Sequence, residues 1–420
     1  MSLDEALTRL VDVAQARRIN ETESIPTAQA LGRVLAEAVA STLDVPPADN
    51  SAMDGYAVRF ADLSADSAAG TVLPVSQRIA AGSVGQPLEP GTAARIFTGA
   101  LVPPGADTVV MQEQCEALPL EGAAPDRARV RISGPVTAGQ SIRRRGEDVA
   151  RGSQVLQPGA RLTPQALGLA ASVGAASLPV LRRPRVALFS TGDELVMPGD
   201  PLPPGAIYNS NRFTLRALLE AAGCVVDDLG IVPDRLDATR EALRRAATGN
   251  DLIITSGGVS VGEEDHLKPA VQAEGRLDLW QMAIKPGKPL AFGAVRRPGD
   301  TAQAGGEALF IGLPGNPVSS FVTFVVAVAP VLRALQGMPA TLPRGLPLPA
   351  AFRWPRPDKR REFLRVRLNE QGALELFTNQ GSGVLTSAVW ADGLVDNPPG
   401  QAIAEGDIVR FLPMAMLVGG

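Results

Sequence analysis

The chain has 420 residues, 45% hydrophobic and 20% charged, an ordinary globular composition whose length implies about three domains rather than one core. Lys and Arg number 40 against 44 Asp and Glu, a formal charge of −4. That excludes a global attraction to nucleic acid or anionic lipid, so any anion must be held by a local arrangement of cations and backbone N–H groups. The single histidine, His266, argues against His-based catalysis and His-ligated zinc. Cys115 and Cys224 lack metal-ligand spacing and read as small buried hydrophobes in a reducing compartment. No basic-then-apolar leader is present, and the longest apolar run, Phe321 to Ala329, is short for a bilayer and is followed by Pro330. A cytoplasmic protein with no nucleic-acid and no membrane partner is expected.

Ser2-Leu3-Asp4-Glu5 forms a capping box ahead of a helix whose Leu3, Leu7, Leu10, Val11 and Ala14 share one face. A second helix is predicted after Thr27, with Ala30, Leu31, Val34 and Leu35 apolar, and Pro46-Pro47 closes that region. Between Asp49 and Val58, small polar residues, Asp54 and Gly55 precede a strand-like Tyr56-Ala57-Val58. A turn accounts for them, and two aspartates with a serine can equally line a cleft. Short strands at 72–75, 94–97, 108–111 and 130–132 predict a small β-rich domain, and Thr98-Gly99 directly follows one of them. Arg143-Arg144-Arg145-Gly146-Glu147-Asp148 reads as an exposed turn of unusual charge density. Thr163 then caps a helix with Pro164 in its first turn and Gly174 as its stop. Residues 1–50 and 140–176 are grouped as one helical or irregular N-terminal domain interrupted by a β-rich insertion, 51–139, with 179–184 read as a linker.

Over 177–330 strand and helix alternate, with strands at 186–189, 225–232 and 252–255, others around Phe292 and at 309–311, and helices at 211–222, 237–247, 266–274 and 318–335. This predicts an α/β domain with a doubly wound parallel sheet, whose strand-to-helix loops gather on the carboxyl edge where ligands bind. The first loop carries Asp193 and Glu194, the second Asp234, and the third Gly257, Gly258, Ser260 and Asp265. The last carries Pro314, Gly315 and Ser319 into a helix N-terminus that favours an anion. Paired glycines bare the backbone to an anion, whereas the acidic trio Glu263, Glu264 and Asp265 suits a phosphate only through a metal. Lys285-Pro286-Gly287-Lys288-Pro289 adds two cations on a stiff turn. Each motif alone reads as a tight loop or a solvated turn. Four loops supplying glycine, carboxylate or hydroxyl to one edge favour a metal-assisted site for an oxyanion or nucleotide phosphate. The insert 298–307 reads as a mobile loop, and 331–420 as a small C-terminal β domain with strands at 363–368, 374–377 and 407–412.

SAMDGYAV, RIFTGA with GADTVVM, RRRGED, STGDEL, TSGGVSVG with Asp265, KPGKP and GLPGNPVS follow one another in that order across essentially the whole chain. Together they resemble the MoeA family of molybdopterin molybdenumtransferases, related to the E domain of gephyrin. The resemblance implies that adenylylated molybdopterin and molybdate react with the help of Mg²⁺, placing molybdenum on the dithiolene and releasing AMP. It also implies an elongated homodimer, with the doubly wound domain of one subunit facing the N-terminal domains of the other. Residues 1–50 with 140–176 then become the dimerisation domain. Molybdopterin adenylyltransferase and molybdoenzyme maturation factors are further partners to be considered.

By position in these motifs, the resemblance assigns activity to Asp54, Thr98, Asp148, Glu194, Asp234, Asp265 and Lys285. Asp193, Glu194, Asp234 and Asp265 become the metal set. Gly257, Gly258, Ser260, Lys285, Lys288, Pro314, Gly315 and Ser319 become substrate-binding residues, and Arg365 with Ser387 a molybdate-contacting pair. Gln281 stands where some relatives carry lysine, which lowers the local positive charge. Two alternatives share parts of the pattern. The α/β domain alone resembles molybdopterin adenylyltransferases, and gephyrin-like proteins use the dimer as a non-enzymatic scaffold.

Overall fold

Leu252, Ile253 and Ile254 are wholly buried, and the strand they form lies inside a six-stranded sheet. The computed structural model describes residues 1–64, 70–118, 129–258, 266–298 and 306–418, with residues 279 and 280 described by their backbone only. The sheet runs Val225–Val232, Arg185–Thr191, Leu252–Ser256, Glu307–Leu313, Pro289–Arg296, Gly275–Gln281. The first four strands are parallel, as an α/β domain requires. The last two are joined antiparallel, so the sheet is not parallel throughout. The connections before and after Pro289–Arg296 are too short for a crossover helix, which leaves antiparallel pairing as the available geometry.

Successive residues of the central strands feed two different cores. Val186, Leu188, Ile254, Leu309 and Ile311 pack on one side with the helices Ser210–Ala221 and Pro317–Thr323. Ala187, Phe189, Ile253 and Phe310 pack on the other with Leu243, Ala246, Leu267 and Val271. A sheet covered on both faces thus takes apolar residues at every position, each buried Leu, Ile or Phe contributing about 1.5–3 kcal/mol before entropy is counted.

The long helix of the domain runs Pro317–Leu335 and is by length and mean hydropathy (2.0) able to cross a membrane, but 94% of it is buried inside the domain, as befits a core helix. Its middle, Phe324–Val328, widens into a π turn just before Pro330. Proline lacks the N–H for the preceding turn and its ring crowds that turn's carbonyl, so the helix loosens there. The capped helix Leu3–Gln15, with the Ser2 and Glu5 bonds both formed, buries Leu3, Ala6, Leu10 and Ala14 in the core that contains Val331 and Leu335. It therefore shares a core with the α/β domain, although the sequence groups it with 140–176.

The helix predicted after Thr27 does not form. Only a short 3-10 turn, Thr27–Gln29, is present, because Gly32 turns to φ +72 and Val34 and Leu35 bridge to Arg161 and Val180. The segment read as a linker is a strand as far as Leu181, Ser177–Leu181 pairing with Thr22–Pro26. The inserted sheet has the order Thr108–Met111, Gly55–Val58, Ala93–Ile96, Thr71–Ile79, Arg129–Ile132, Cys115–Leu118. The C-terminal sheet runs Arg361–Leu368, Gly393–Asn397, Ile408–Pro413, Leu346–Pro349 and takes the short strand Ile284–Lys285 at its edge. Most of the insert 298–307 lies outside the described residues.

Candidate functional site

The four parallel strands end at Thr191, Val232, Ser256 and Leu313, so their loops share one edge. Buried Ser190 and Ser256 bond to each other through their hydroxyls at 3.0 Å. Gly257, at φ +94, donates its N–H to the Leu313 carbonyl at 3.1 Å. A Cβ on Gly257 would stand 2.6 Å from the Thr191 carbonyl oxygen, and one on Gly258, at φ +64, 2.9 Å from Thr191 Oγ1. Only glycine fits either place, and the backbone stays bare. Gly315 touches the same turn, since its Cβ would lie 3.8 Å from Gly257 Cα, and Asn211 Nδ2 holds the Gly315 carbonyl at 2.7 Å. Pro314 beside it is buried. The buried hydroxyls of Thr191 and Thr255 have no hydrogen-bond partner among the described residues, a cost of about 1–3 kcal/mol each that a bound polar ligand can offset. The cradle thus fits a phosphate-bearing substrate.

For the metal, the Asp234 N–H donates to Asp193 Oδ1 at 3.1 Å, which brings two acidic loops together, with exposed Glu194 next in chain. The donors are all oxygens, the set a hard divalent cation takes. Among the described residues no group of three His, Cys, Asp or Glu is close enough to hold a metal. Asp265 and Ser260 lie outside the described residues.

The lysine turn is seated on the last helix. Gly287, at φ +111, leaves room where a Cβ would lie 2.4 Å from Thr323 Oγ1 and 3.4 Å from the Ser319 carbonyl. Met282 N–H closes the turn on the Lys288 carbonyl at 2.8 Å. Lys288 is exposed and forms no ion pair among the described residues. Lys285 is instead engaged, its Nζ 3.2 Å from Glu362 and 3.4 Å from Asp358. Gln281 is exposed and Ser319 is buried.

Arg365 is 1% exposed and has no carboxylate partner among the described residues. Its Nε donates to Ser387 Oγ at 3.2 Å, and its other nitrogens to the carbonyls of Phe363 at 3.0 Å and Gly381 at 3.4 Å. Burial pushes its pKa down to about 10. The loop that covers it reaches the same helix start, where Val318 N–H donates to the Ser382 carbonyl at 2.9 Å. Arg365 and Ser387 are therefore one layer behind that loop.

Asp54, Thr98 and Asp148 belong to a second assembly. Asp54 Oδ1 accepts from the Thr98 N–H and from Thr98 Oγ1, each at 2.8 Å. The backbone bond foremost, then the hydroxyl, and more weakly nearby Arg95, hold this carboxyl below the usual range. The strand Asn50–Ser51 pairs with Ile142–Arg143, and Gly99 N–H donates to the Ser51 carbonyl at 2.8 Å, so the three motifs meet. Arg144 and Arg145 of the charged turn are engaged by carboxylates. Asp49 takes the Arg145 N–H and Arg144 Nη1 at 2.8 and 2.7 Å, and Asp44 takes Arg145 Nε at 2.6 Å. Asp148 is exposed, with its N–H on the Val45 carbonyl at 3.1 Å. Among the described residues no hydrogen bond or ion pair links Asp54, Thr98 or Asp148 to the α/β edge of the same chain.

Neither cysteine offers a nucleophile. Burial pushes the Cys224 thiol up to about 12 and the Cys115 thiol up to about 11. Sequence reasoning missed Asp44, which follows a featureless Thr-Leu, and the whole Glu362 cluster. RREFLRV reads only as a strand, and its pairing with Lys285 is a contact of distant segments.

The residues 1–174 match the MoeA N-terminal region (domain I and II), 187–334 a probable molybdopterin binding domain, and 347–414 the MoeA C-terminal region (domain IV). Over 427 aligned residues the chain is 39% identical to the molybdopterin molybdenumtransferase of Haemophilus influenzae, covering 100% of both. The chain belongs to the MoeA family. It is also 40% identical to molybdopterin molybdenumtransferase 2 of Mycobacterium tuberculosis, covering 92% of this chain and 93% of that one. A solved structure of the molybdopterin biosynthesis MoeA protein from Pyrococcus horikoshii OT3 superposes with a TM-score of 0.80 at 28% identity, covering 98% and 99%. With such relatives aligned over its length, this MoeA-family chain is an enzyme.

Proposed function

We propose that this enzyme inserts molybdenum from molybdate into adenylylated molybdopterin, releasing AMP and forming molybdenum cofactor with the help of Mg²⁺. The observation that carries the reading is the seating of the lysine turn on the helix that follows GLPGNP, through Gly287 against Thr323 and Ser319. That helix begins at the glycine-lined strand edge, whose neighbouring loops carry Asp193 and Asp234, and Lys288 on the turn is exposed. Molybdate is a hard dianion without apolar surface, so ammonium groups, hydroxyls and backbone N–H groups are its natural hosts. The bare backbone at Gly257 and Gly258 receives the nucleotide phosphate. Magnesium, when bound, would neutralise charge on the phosphate oxygens. Asp193, Glu194 and Asp234 do not by themselves gather closely enough to hold it, so the set that would hold it includes Asp265. No protein nucleophile is required if a molybdate oxygen or water attacks phosphorus, and the chain offers no activated thiol.

The reading includes a cytoplasmic homodimer in which Asp54, Thr98 and Asp148 complete the α/β edge of the partner subunit. That no bond among the described residues joins them to that edge within the chain supports this. Full-length relatives named molybdenumtransferase favour it over adenylyltransferase chemistry or a scaffold. The test incubates purified protein with adenylylated molybdopterin, molybdate and Mg²⁺, following AMP and active cofactor. AMP released at the same rate without molybdate, and no cofactor formed, would overturn it.

A further inference from the structure

Lys285 and Lys288 are three residues apart on one turn, yet the fold treats them differently. Lys288 is exposed and unpaired among the described residues. Lys285 belongs by chain to the α/β domain but by hydrogen bonding to the C-terminal sheet. Its two-residue strand runs parallel to Arg361–Leu368, with Lys285 opposite Glu362, and the Arg361 N–H donates to the Ala283 carbonyl at 2.9 Å. Glu362 is wholly buried, its side chain 1% exposed. One of its oxygens receives Lys285 Nζ at 3.2 Å. The other is saturated by donors that cannot leave, Trp354 Nε1 at 2.8 Å, the Asp358 N–H at 3.2 Å and Asn397 Nδ2 at 3.4 Å. Among the described residues Lys285 is the only cation within ion-pair distance of this carboxylate.

The remaining neighbours of Lys285 hold it less firmly. Asp358 stands 3.4 Å from Nζ, but both its oxygens are taken by Arg360 at 2.9 and 2.8 Å. Chiefly through that bidentate pair, its carboxyl is held far below the ordinary range. The Trp354 ring lies 5.9 Å from Nζ, at the outer limit of a cation–π contact. A buried carboxylate fixed on one oxygen and open on the other to a single ammonium is a tether. It holds one N–H of Lys285 inward and, with the side chain 39% exposed, leaves the outer face of the ammonium open to solvent.

We infer that Glu362 is a positioning residue for Lys285, a buried carboxylate of the C-terminal domain that presets the ammonium for the transferred oxyanion while Lys288 binds it as an untethered cation. This rests on the oxyanion role proposed above for the lysine turn. The C-terminal domain then acts on the reaction through Lys285 without touching substrate there.

The test separates the two ideas. Trace labelling of the full-length enzyme with acetic anhydride, resolved by peptide mass spectrometry, reports how available each amine is, with Lys288 as internal reference. In the unaltered enzyme Lys285 labels about ten- to a hundredfold more slowly than Lys288, the ratio expected of one charge-assisted bond. Glu362→Gln puts an amide where three donors converge, releases Nζ, and brings that ratio to within about threefold. In the same variant kcat falls about tenfold or more while half-saturating molybdate changes less than about threefold, because geometry and not charge at the cleft is lost. Trp354→Phe removes one donor from the fixed oxygen while keeping an aromatic side chain, so it moves the labelling ratio part of the way and covers the case in which Glu362→Gln does not fold. A ratio unchanged in both variants overturns the positioning role. A ratio that closes while kcat is untouched leaves Glu362 as the tether of Lys285 and overturns the oxyanion role of that lysine instead.

Discussion

Replacing Arg365 by methionine should leave the protein close to its original stability and remove much of its response to molybdate. The side chain is 1% exposed and carries a charge with no carboxylate partner among the described residues. Burial lowers its pKa well below the ordinary guanidinium value, to about 10. At about 1.4 kcal/mol per pH unit this is roughly 3 kcal/mol by which the fold disfavours the charged form. The sign follows from linkage. The unfolded chain holds the proton more tightly, so the penalty is fully present at neutral pH and is relieved only as pH rises from about 10 toward the ordinary guanidinium value. Methionine fills most of the volume and abolishes that penalty, but it leaves the carbonyls of Phe363 and Gly381 without their donor. Each orphaned group costs about 1–3 kcal/mol. The two effects are of similar size, so the net change expected is within about 2 kcal/mol, against the 3–5 kcal/mol typical of breaking a buried ion pair. A dianion brought next to the guanidinium offsets the same penalty. Molybdate at about a hundred times its Kd should stabilise the original enzyme by roughly 2.7 kcal/mol, and the variant by far less at equal concentration. Denaturant melts across a molybdate titration measure both quantities. Destabilisation beyond about 4 kcal/mol together with an undiminished molybdate response would refute the reasoning, since Arg365 would then be a structural hub and no anion host.

Asp54→Asn and Lys285→Ala should each abolish activity without unfolding, and mixed dimers of the two should recover part of it; no recovery after verified subunit exchange would place the site within one subunit. Because the Thr98 bonds hold the Asp54 carboxyl below its usual range, its clamp should persist above the unfolded carboxylate pKa and disappear only as pH falls through the lowered folded value, which the Asp54 carboxyl resonance would report. Asp234→Asn should raise the Mg²⁺ needed for half-maximal AMP release by about tenfold with the melting midpoint unchanged; an identical Mg²⁺ curve would remove Asp234 from the metal set. Lys288→Ala should raise half-saturating molybdate about ten- to a hundredfold with stability within about 0.5 kcal/mol, and excess molybdate should restore the rate; weaker adenylylated pterin binding with unchanged molybdate dependence would reassign the lysine to the phosphates.

Residues whose neighbours are also near in sequence were readable before any coordinates. The Ser2–Glu5 capping box, the stop at Gly174 and the buried Leu252–Ile254 strand each follow from a local rule of capping, chirality or periodicity. The carboxyl-edge loops were also readable, because right-handed crossovers put them all on one side whatever the strand order. Features set by a distant partner were not. Gly275–Gln281 alternates polar and apolar residues over Arg276 to Leu279, but its place as the outer antiparallel partner of Pro289–Arg296 is set by that distant strand. The same holds for Leu3–Gln15, whose apolar face is evident but whose destination, the helix ending at Leu335, is not. Lys285 carries the point into the site itself. Its turn was legible from Pro286 and Gly287, while Glu362, which decides how the ammonium is held, lies on another domain's strand.

The distribution of unsatisfied groups gives the strongest reason, independent of motif, for placing the chemistry at the α/β edge. Among the described residues eight buried side chains have a polar atom with no hydrogen-bond partner. Thr191 and Thr255 sit at the carboxyl ends of parallel strands, Asn209 caps the helix after the first of them, and Ser320 and Thr323 lie on the helix after the last. Burying such groups unpaired is costly anywhere in a protein, and random placement would scatter them over three domains. Arg17, Asn50 and Gln114 lie elsewhere, but the other five belong to the strand ends and helices of the α/β domain that carry the cradle of Gly257 and the seat of Gly287. A substrate composed of phosphate, hydroxyl-rich nucleotide and oxyanion supplies partners for donors of this kind, whereas an apolar ligand or a purely structural partner would leave them unmet.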